Sequence, residues 1–214
     1  LDWIKSEEDA LIYIGDTMCS WCHGFSPELD KLQNNHPELN LVLVMGGLRP
    51  YNTEKAIDMA DFLRSHWVEI NERTGQPFSY EILDDPDFIY DTEPASRAVV
   101  VARMMKADIE YDFFKAVQHA FYADNKNTNQ LATYTEIAHD FGLDIEAYRN
   151  LFNSEEAKLA TRTDFRISQD MGIKGFPSLV LKYKGKFTQI AHGYTPVERI
   201  EEVISNVKVE LAEG

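Results

Sequence analysis

The chain has 214 residues and a formal net charge of −15, and both values limit what it can do. A chain of this length can bury one substantial core, either as a single domain or as a domain with an insertion. The acidity argues against binding to nucleic acid or to an anionic membrane surface, because both need basic patches.

The sequence shows neither of the two patterns that are typical of membrane-spanning segments and secretory signals. No apolar run approaches the roughly 20 residues that cross a bilayer, and no basic segment precedes an apolar stretch as in a secretory signal. Two cysteines are too few for a structural disulfide framework. These features predict a cytoplasmic protein; a leader that has been removed would make it periplasmic instead.

The first quarter of the chain has a β-α-β pattern. Residues 10–15 form an apolar, β-prone run that predicts a buried strand. Apolar residues then recur at helical spacing and predict a helix over 20–33, in which Pro27 should produce a kink. Residues 41–45 predict a second buried strand, which two glycines end.

Helical periodicity dominates from about residue 51 to residue 163. Six predicted helices share this region, and they cover residues 54–73, 93–106, 109–121, 131–141, 146–152 and 154–171.

Strands return near the end, at 178–181 and 187–190, and Lys184-Gly185 between them predicts a hairpin turn. Thr195 is the predicted N-cap of a last helix that begins at Pro196. The order of elements predicts an α/β fold, in which a small mixed sheet with flanking helices is interrupted by a helical block.

The motif that carries chemistry is Cys19-Ser20-Trp21-Cys22, which holds the only two cysteines. It lies between a predicted strand and a predicted helix, where unpaired N–H groups and the helix dipole favour a thiolate at Cys19. Cys22 lies within the first turn and should be more shielded. The spacing therefore predicts a redox dithiol, in which Cys19 attacks a substrate sulfur and Cys22 resolves the mixed disulfide.

Two other uses of a C-x-x-C pair stay open at this point. A zinc site would need about four ligands, and the chain has no second cysteine pair. His23 and one other histidine could complete such a site, but the histidines show no H-x-x-x-H spacing. The run from Cys19 to His23 also matches the C-x-x-C-H signature of c-type haem attachment, although that motif does not usually follow a buried strand. We expect neither a metal nor a cofactor.

A second motif, Gly175-Phe176-Pro177, introduces the strand at 178–181. Proline at the first position of a strand lacks a ladder donor. A cis bond before Pro177 would free the backbone of Phe176 to pair with an incoming extended peptide.

At these residues the chain resembles the thioredoxin superfamily, in the branch of DsbA and FrnE-like disulfide oxidoreductases. The resemblance extends over nearly the whole chain. Its motifs are the run from Asp16 to Cys22, the Gly-Phe-Pro motif, and the segments Thr74-Gly75-Gln76-Pro77-Phe78 and Thr92-Glu93-Pro94-Ala95-Ser96-Arg97-Ala98, which resemble predicted protein-disulfide isomerases.

The resemblance implies a thioredoxin-like domain formed by residues 1–50 and 165–214, with a helical insertion over 51–164. It implies thiol-disulfide exchange through Cys19 and Cys22 without a bound cofactor. It also implies that Pro177 is cis and packs against the disulfide, while Phe176 offers its backbone to substrate.

Three departures from the family pattern concern the residues around the thiols. Tyr13 occupies the position where many members have an acid that serves the buried cysteine, and Asp16, the nearest acid, is expected to be a solvated strand-end residue. No histidine lies between the cysteines; His23, four residues after Cys19, could replace it in part or face solvent. The acidic chain without a leader does not look periplasmic.

We assign substrate contact to Ser20, Trp21, His23, Phe176 and Pro177. For Trp21, packing onto the insertion is an equally good interpretation. His66 and Trp67 are expected in the core or on the surface rather than facing the thiols, and Arg97 is expected to pair with an acid.

The sequence thus predicts a thiol-disulfide oxidoreductase or isomerase that acts on protein thiols and disulfides or on glutathione. One alternative is a glutathione-dependent isomerase or transferase of the kappa or hydroxychromene-carboxylate isomerase type, in which a serine tends to replace the first cysteine. The other is a peptide-binding module without catalysis. Substrate, direction, reduction potential, recycling partner and oligomeric state are left open.

Overall fold

A computed structural model describes residue 6 and residues 8–213; residues 1–5 and 7, with which the predicted segment 1–50 begins, lie outside the described residues. One sheet has the strand order β2-β1-β3-β4. β1 pairs with β2 in parallel, whereas the β1–β3 and β3–β4 pairs are antiparallel. The strands are β1 (Ala10–Gly15), β2 (Asn40–Met45), β3 (Ser178–Tyr183) and β4 (Lys186–His192).

The central strand β1 is buried along its whole length because both faces of the sheet are covered. Leu11 and Tyr13 face the larger hydrophobic core. Ile12 and Ile14 face a smaller apolar cluster on the other side. This period of two places the Tyr13 side chain on the larger-core face of the sheet.

The described part of the chain contains eight α-helices, and three short 3₁₀ turns lie at Ala56–Met59, Glu81–Asp84 and Ala107–Ile109. The α/β class and the helical insertion between β2 and β3 are confirmed. The helices are α1 (Ser20–Asn35), α2 (Ala60–Thr74), α3 (Glu93–Met105), α4 (Glu110–Tyr122), α5 (Leu131–Asp140), α6 (Ile145–Phe152), α7 (Glu155–Asp170) and α8 (Val197–Glu213).

The prediction of one continuous helix over 54–73 is wrong. The backbone of Lys55 forms an isolated antiparallel bridge with Ile89, and the N–H of Ala56 donates to the carbonyl of Phe88 at 3.0 Å. Because these residues pair with a distant segment, they are unavailable to a helix, and α2 begins only at Ala60.

The predicted N-cap at Thr195 is also wrong. Its hydroxyl donates to the carbonyl of Gly193 at 3.2 Å. The N–H of Val197, at the start of α8, donates instead to Oε2 of Glu28 on α1, at 2.8 Å. A carboxylate on a neighbouring helix therefore satisfies this helix terminus and ties α8 to α1.

Two local contacts that the sequence predicts are present. Lys184 and Gly185 have φ values of 48° and 73°, which suits the tight hairpin turn between β3 and β4. Nε of Arg97 lies 3.0 Å from a carboxylate oxygen of Glu93, one helical turn earlier.

Candidate functional site

The turn between β1 and α1 carries Cys19 at the helix N-terminus. Cys19 is the N-cap residue, in extended conformation, and its Sγ accepts the N–H of Cys22 at 3.3 Å. No acidic side chain lies in the first turn of α1. The partial positive charge of the helix terminus is therefore available to a thiolate at Cys19.

The loop before β3 lies against the same sulfur. Ile14 pairs with Ser178 across β1 and β3, which brings the two preceding residues, Phe176 and Pro177, next to the turn. The peptide bond between them is cis, as the resemblance implies. The Cys19 thiol lies 3.6 Å from the carbonyl oxygen of Phe176, to which it donates.

Gly46, which follows β2, supports this loop. A Cβ atom built on it would lie 2.3 Å from the ring of Phe176, far inside van der Waals contact. Only a residue without a side chain lets the ring pack so closely on the backbone. The glycine therefore leaves room for the Phe176 ring, whose residue also supplies the carbonyl next to Cys19.

Cys22 is fully buried one helical turn away, as expected from its place in α1. Burial, and secondarily its hydrogen bond with Cys19, raises the pKa of the Cys22 thiol. The Tyr13 side chain is buried near it, and its hydroxyl has no hydrogen-bond partner of ordinary geometry among the described residues. Burial, followed by the charge of Cys22, raises the pKa of Tyr13.

Asp16 is buried, which corrects the expectation of a solvated residue at the strand end. Its Oδ1 accepts the N–H of Met18 at 2.9 Å, and its Oδ2 accepts the N–H of Leu48 at 2.8 Å. Burial raises its pKa from 3.8 to about 6, although the two amide donors oppose the shift. The carboxylate is needed to hold the turn between β1 and α1, and this explains why it is inside.

Tyr90, which belongs to the insertion, contacts the turn before Cys19. Its hydroxyl donates to the carbonyl of Met18, the residue before Cys19, at 2.7 Å. We call Cys22, Tyr13, Asp16 and Tyr90 the closed side of the turn, because all four side chains are buried.

His23 is the second correction, because its ring is turned into the insertion and only 4% of the residue is exposed. The ring stacks on Tyr122, with centroids 4.9 Å apart, and Nε2 lies 3.0 Å from the carbonyl oxygen of Pro77. Burial lowers the pKa of His23 to about 4. A neutral, enclosed imidazole supports neither a substrate contact nor a positive charge for the Cys19 thiolate.

The open side of the turn consists of Ser20, Trp21, His66, Arg73 and Tyr194, all exposed or half-buried. The Trp21 ring centroid lies 5.9 Å from His66 and 5.7 Å from Tyr194. His66 therefore reaches the active-site turn, which the sequence did not favour, whereas Trp67 is in the core. Trp21 packs on the insertion and keeps exposed surface, and substrate contact by Ser20 and Trp21 stays a prediction.

Sequence reasoning missed several of these residues. Tyr90, Tyr194 and Arg73 come from segments distant in the chain, and nothing in their local sequence marks them as neighbours of Cys19. Tyr13 was noted only as the replacement for an expected acid.

A separate cleft of about 650 Å³ lies beside α1, α4 and α5 and is lined by His23, Ser26, Lys115 and Glu136 among others. It includes neither cysteine. Within residues 8–213 and Ser6, no three His, Cys, Asp or Glu side chains converge as metal ligands. In the same part of the chain, no helix is long and apolar enough to span a bilayer.

The fold and the turn together define a class of protein. A buried thiol one turn behind a second thiol, at a helix N-terminus and beside a cis-proline loop, is the arrangement of a thioredoxin-fold dithiol protein. The model of the DSBA-like thioredoxin domain family matches residues 12–205, and the chain belongs to this family.

Three comparisons show which known proteins the chain is similar to. A crystal structure from Nitrosomonas europaea, described as a candidate protein disulfide isomerase, is 32% identical, with a TM-score of 0.84, covering 95% of this chain and 99% of that one. The cytosolic disulfide reductase DsbM from Pseudomonas aeruginosa, in its structure with GSH, is 21% identical, with a TM-score of 0.73, covering 93% and 99%.

The third similar protein is the ClpXP adapter protein SpxH of Bacillus subtilis. It is 22% identical over 172 residues, which is 77% of this chain but 55% of the adapter. This chain thus spans little more than half the length of that curated relative.

Proposed function

We propose that the protein is a thiol-disulfide oxidoreductase that works through Cys19 and Cys22. The observation that supports it is the hydrogen bond from the Cys22 amide to Cys19 Sγ at the start of α1, with the Cys22 thiol buried behind it. Cys19 keeps 6% of its surface exposed and Cys22 none, so a substrate sulfur can approach Cys19 but not Cys22.

The exchange has two steps. The Cys19 thiolate attacks one sulfur of a disulfide RS–SR′, which forms a Cys19–SR mixed disulfide and releases R′S⁻. Cys22 then loses its proton and attacks Cys19 Sγ, which releases RS⁻ and leaves the Cys19–Cys22 disulfide. Two electrons pass from the protein dithiol to the substrate disulfide, and two further thiols, which leave as one disulfide, return them for another turnover.

The raised pKa of Cys22 keeps it protonated until the second step, so its proton needs an acceptor. The negative charge of the buried Asp16 carboxylate helps to raise the pKa of Cys22. With a pKa of about 6, Asp16 is ionised at neutral pH. We assign it the role of proton acceptor for Cys22.

We further propose that the protein works in the cytoplasm as a reductase or isomerase and uses glutathione as its small-thiol partner. The names of the N. europaea and P. aeruginosa proteins, and the GSH in the latter structure, support this direction. In a reducing compartment an oxidase would lack the oxidant that it needs. The predicted contacts of Phe176 and Pro177 with substrate remain part of this proposal.

Two matched variants test the proposal. Cys22→Ser should stop at the first step and accumulate a mixed disulfide with oxidised glutathione, which intact-mass spectrometry detects. Cys19→Ser should form none, because Cys22 is enclosed. Both should lose disulfide-reductase turnover by about a thousandfold or more. Full glutathione-dependent turnover of Cys22→Ser would contradict the dithiol mechanism and favour a transferase.

A further inference from the structure

Arg73 lies in the last turn of α2, at the edge of the open side. The helix ends at Gly75, whose φ of 75° gives a left-handed C-cap. A cation in this last turn interacts favourably with the helix dipole. The dipole accounts for a positive side chain at this position, but it does not explain why the Arg73 side chain extends toward Trp21 and Tyr194.

The guanidinium of Arg73 is held against two aromatic rings. Its carbon lies 5.4 Å from the ring centroid of Trp21 and 5.0 Å from that of Tyr194, both within the range of cation–π attraction. Trp21 is two residues after Cys19. The positive charge is therefore fixed beside the turn that carries the attacking thiol.

The chain offers Arg73 an ion-pair partner that it does not use. Glu69 precedes it by four positions on α2, which is the favourable spacing and order for a helical Glu–Arg pair. Nevertheless, no carboxylate of the described residues lies within ion-pair distance of Arg73, and no hydrogen bond engages its guanidinium within residues 8–213. A cation–π contact provides no oxygen acceptor, so the guanidinium keeps N–H donors for one.

We propose that Arg73 is a substrate-binding residue that receives the carboxylate of a low-molecular-weight thiol or disulfide at Cys19. This inference rests on the proposed function and names its substrate class. The fork of N–H donors on a guanidinium matches the two oxygens of a carboxylate, and the contacts with Trp21 and Tyr194 hold the group beside the turn.

The net charge favours a small anion over an acidic polypeptide as the occupant. A polypeptide with many acidic groups would be repelled by a protein of net charge −15 across the whole area of approach. A small dianion meets mainly the charges within about 8 Å, the screening length at physiological salt. Arg73 and Lys31 are the cations that act on Tyr194, together with the carboxylates of Glu28 and Glu198. Lys31 is paired with Glu28 at 2.9 Å, whereas Arg73 has no ion pair with the described residues.

Three disulfides of different charge test the inference: 3,3′-dithiodipropionate as the anion, bis(2-hydroxyethyl) disulfide as the neutral compound and cystamine as the cation. The measured quantity is the ratio of kcat/KM between the anionic and the neutral substrate. Arg73→Gln should lower this ratio about fivefold to tenfold, mainly through KM. Arg73→Lys should lower it less, and Arg73→Glu should shift the preference toward cystamine.

Arg149→Gln is the matched control. Arg149 is exposed on α6, and it too forms no ion pair with the described residues, so its replacement removes the same net charge away from the turn. The ratio should be unchanged in this variant. An equal ratio in wild type and Arg73→Gln would overturn the inference and leave the oxidoreductase function intact.

A binding measurement covers the case in which none of the disulfides reacts. That result would contradict the proposed function, and the inference would then be judged with the unreactive dianion 3,3′-thiodipropionate and its neutral diamide, followed by tryptophan fluorescence. Tighter binding of the dianion that Arg73→Gln abolishes would support the carboxylate site. The inference would be overturned if wild type bound the dianion no more tightly than the diamide and Arg73→Gln changed neither affinity.

Discussion

The two sides of the active-site turn differ in what surrounds each sulfur. On the open side, Cys19 adjoins half-buried rings and an exposed cation, Arg73, that has no ion pair with the described residues. On the closed side, Cys22 is enclosed by phenol hydroxyls and the buried carboxyl of Asp16. Both cysteines have the same side chain and both are buried, Cys19 at 6% exposure and Cys22 at 0%. Position separates them, because Cys19 caps the helix N-terminus beside the open side and Cys22 lies one turn behind it.

Burial behind the turn also changes how ionisable groups titrate, both on the closed side and in the insertion next to it. Asp16 and His23 are both buried next to the turn, and their pKa values shift in opposite directions, to about 6 and about 4. Folding holds the Asp16 proton more tightly than the unfolded chain does, so acidification through pH 6 stabilises the folded state. Folded His23 resists protonation, so acidification below pH 6.5 destabilises it.

Single variants should separate these opposing contributions, with the largest effect that we predict on stability. Between pH 7 and pH 4, each group changes the free energy of unfolding by about 2 to 3 kcal/mol, in opposite senses. Relative to wild type, Asp16→Asn should lose more stability on acidification, and His23→Gln should lose less. Urea unfolding at a series of pH values measures this. Parallel pH profiles for wild type and both variants would contradict the assigned pKa shifts.

The variant Gly46→Ala tests whether exchange depends on the position of the loop that carries Phe176 and Pro177 beside Cys19. Gly46→Ala puts a Cβ atom into the ring of Phe176 and should cost about 1 to 3 kcal/mol of stability, with slower exchange because the carbonyl of Phe176 moves. Gly175→Ala is the control, since its Cβ would meet only the exposed His192 ring, at 3.2 Å. Urea unfolding and the exchange rate are the measurements; equal effects of both substitutions would argue against the packing role of Gly46.

The smallest predicted effect concerns the unpartnered hydroxyl of Tyr13. Tyr13→Phe removes a buried hydroxyl that has no hydrogen-bond partner of ordinary geometry among the described residues, and it should stabilise the protein by up to about 1 kcal/mol. Tyr148→Phe is the matched change, because the Tyr148 hydroxyl donates to the carbonyl of Ala98 at 2.9 Å, and this variant should be less stable. Denaturation midpoints with the same sign for both would contradict this difference.

The sequence predicted those parts of the site that local pattern determines. The strand before Cys19, the helix after it and the proline before β3 follow from periodicity and from motifs a few residues long. Asp16 and His23 were misplaced because their burial depends on backbone donors at Leu48 and on rings at Phe78 and Tyr122, which the chain brings in from elsewhere.

The same limit applies to the ends of helices. Ser154 and Asp144 cap α7 and α6 with their own side chains, which sequence pattern can reveal. Glu28, 169 positions earlier, accepts the first free N–H of α8. Arg73 contacts rings on two distant segments and forms no ion pair with Glu69 on its own helix. Contacts between remote segments decide these cases, and a single sequence does not display them.

The most direct test of the central claim is a redox titration of the Cys19–Cys22 pair in glutathione buffers of graded ratio. Trp21 fluorescence follows the transition, and a thiol-specific gel shift counts the free cysteines at each ratio. We expect one reversible two-electron transition in which both thiols disappear together and return on reduction. Two thiols that stay free at every ratio would contradict the dithiol mechanism.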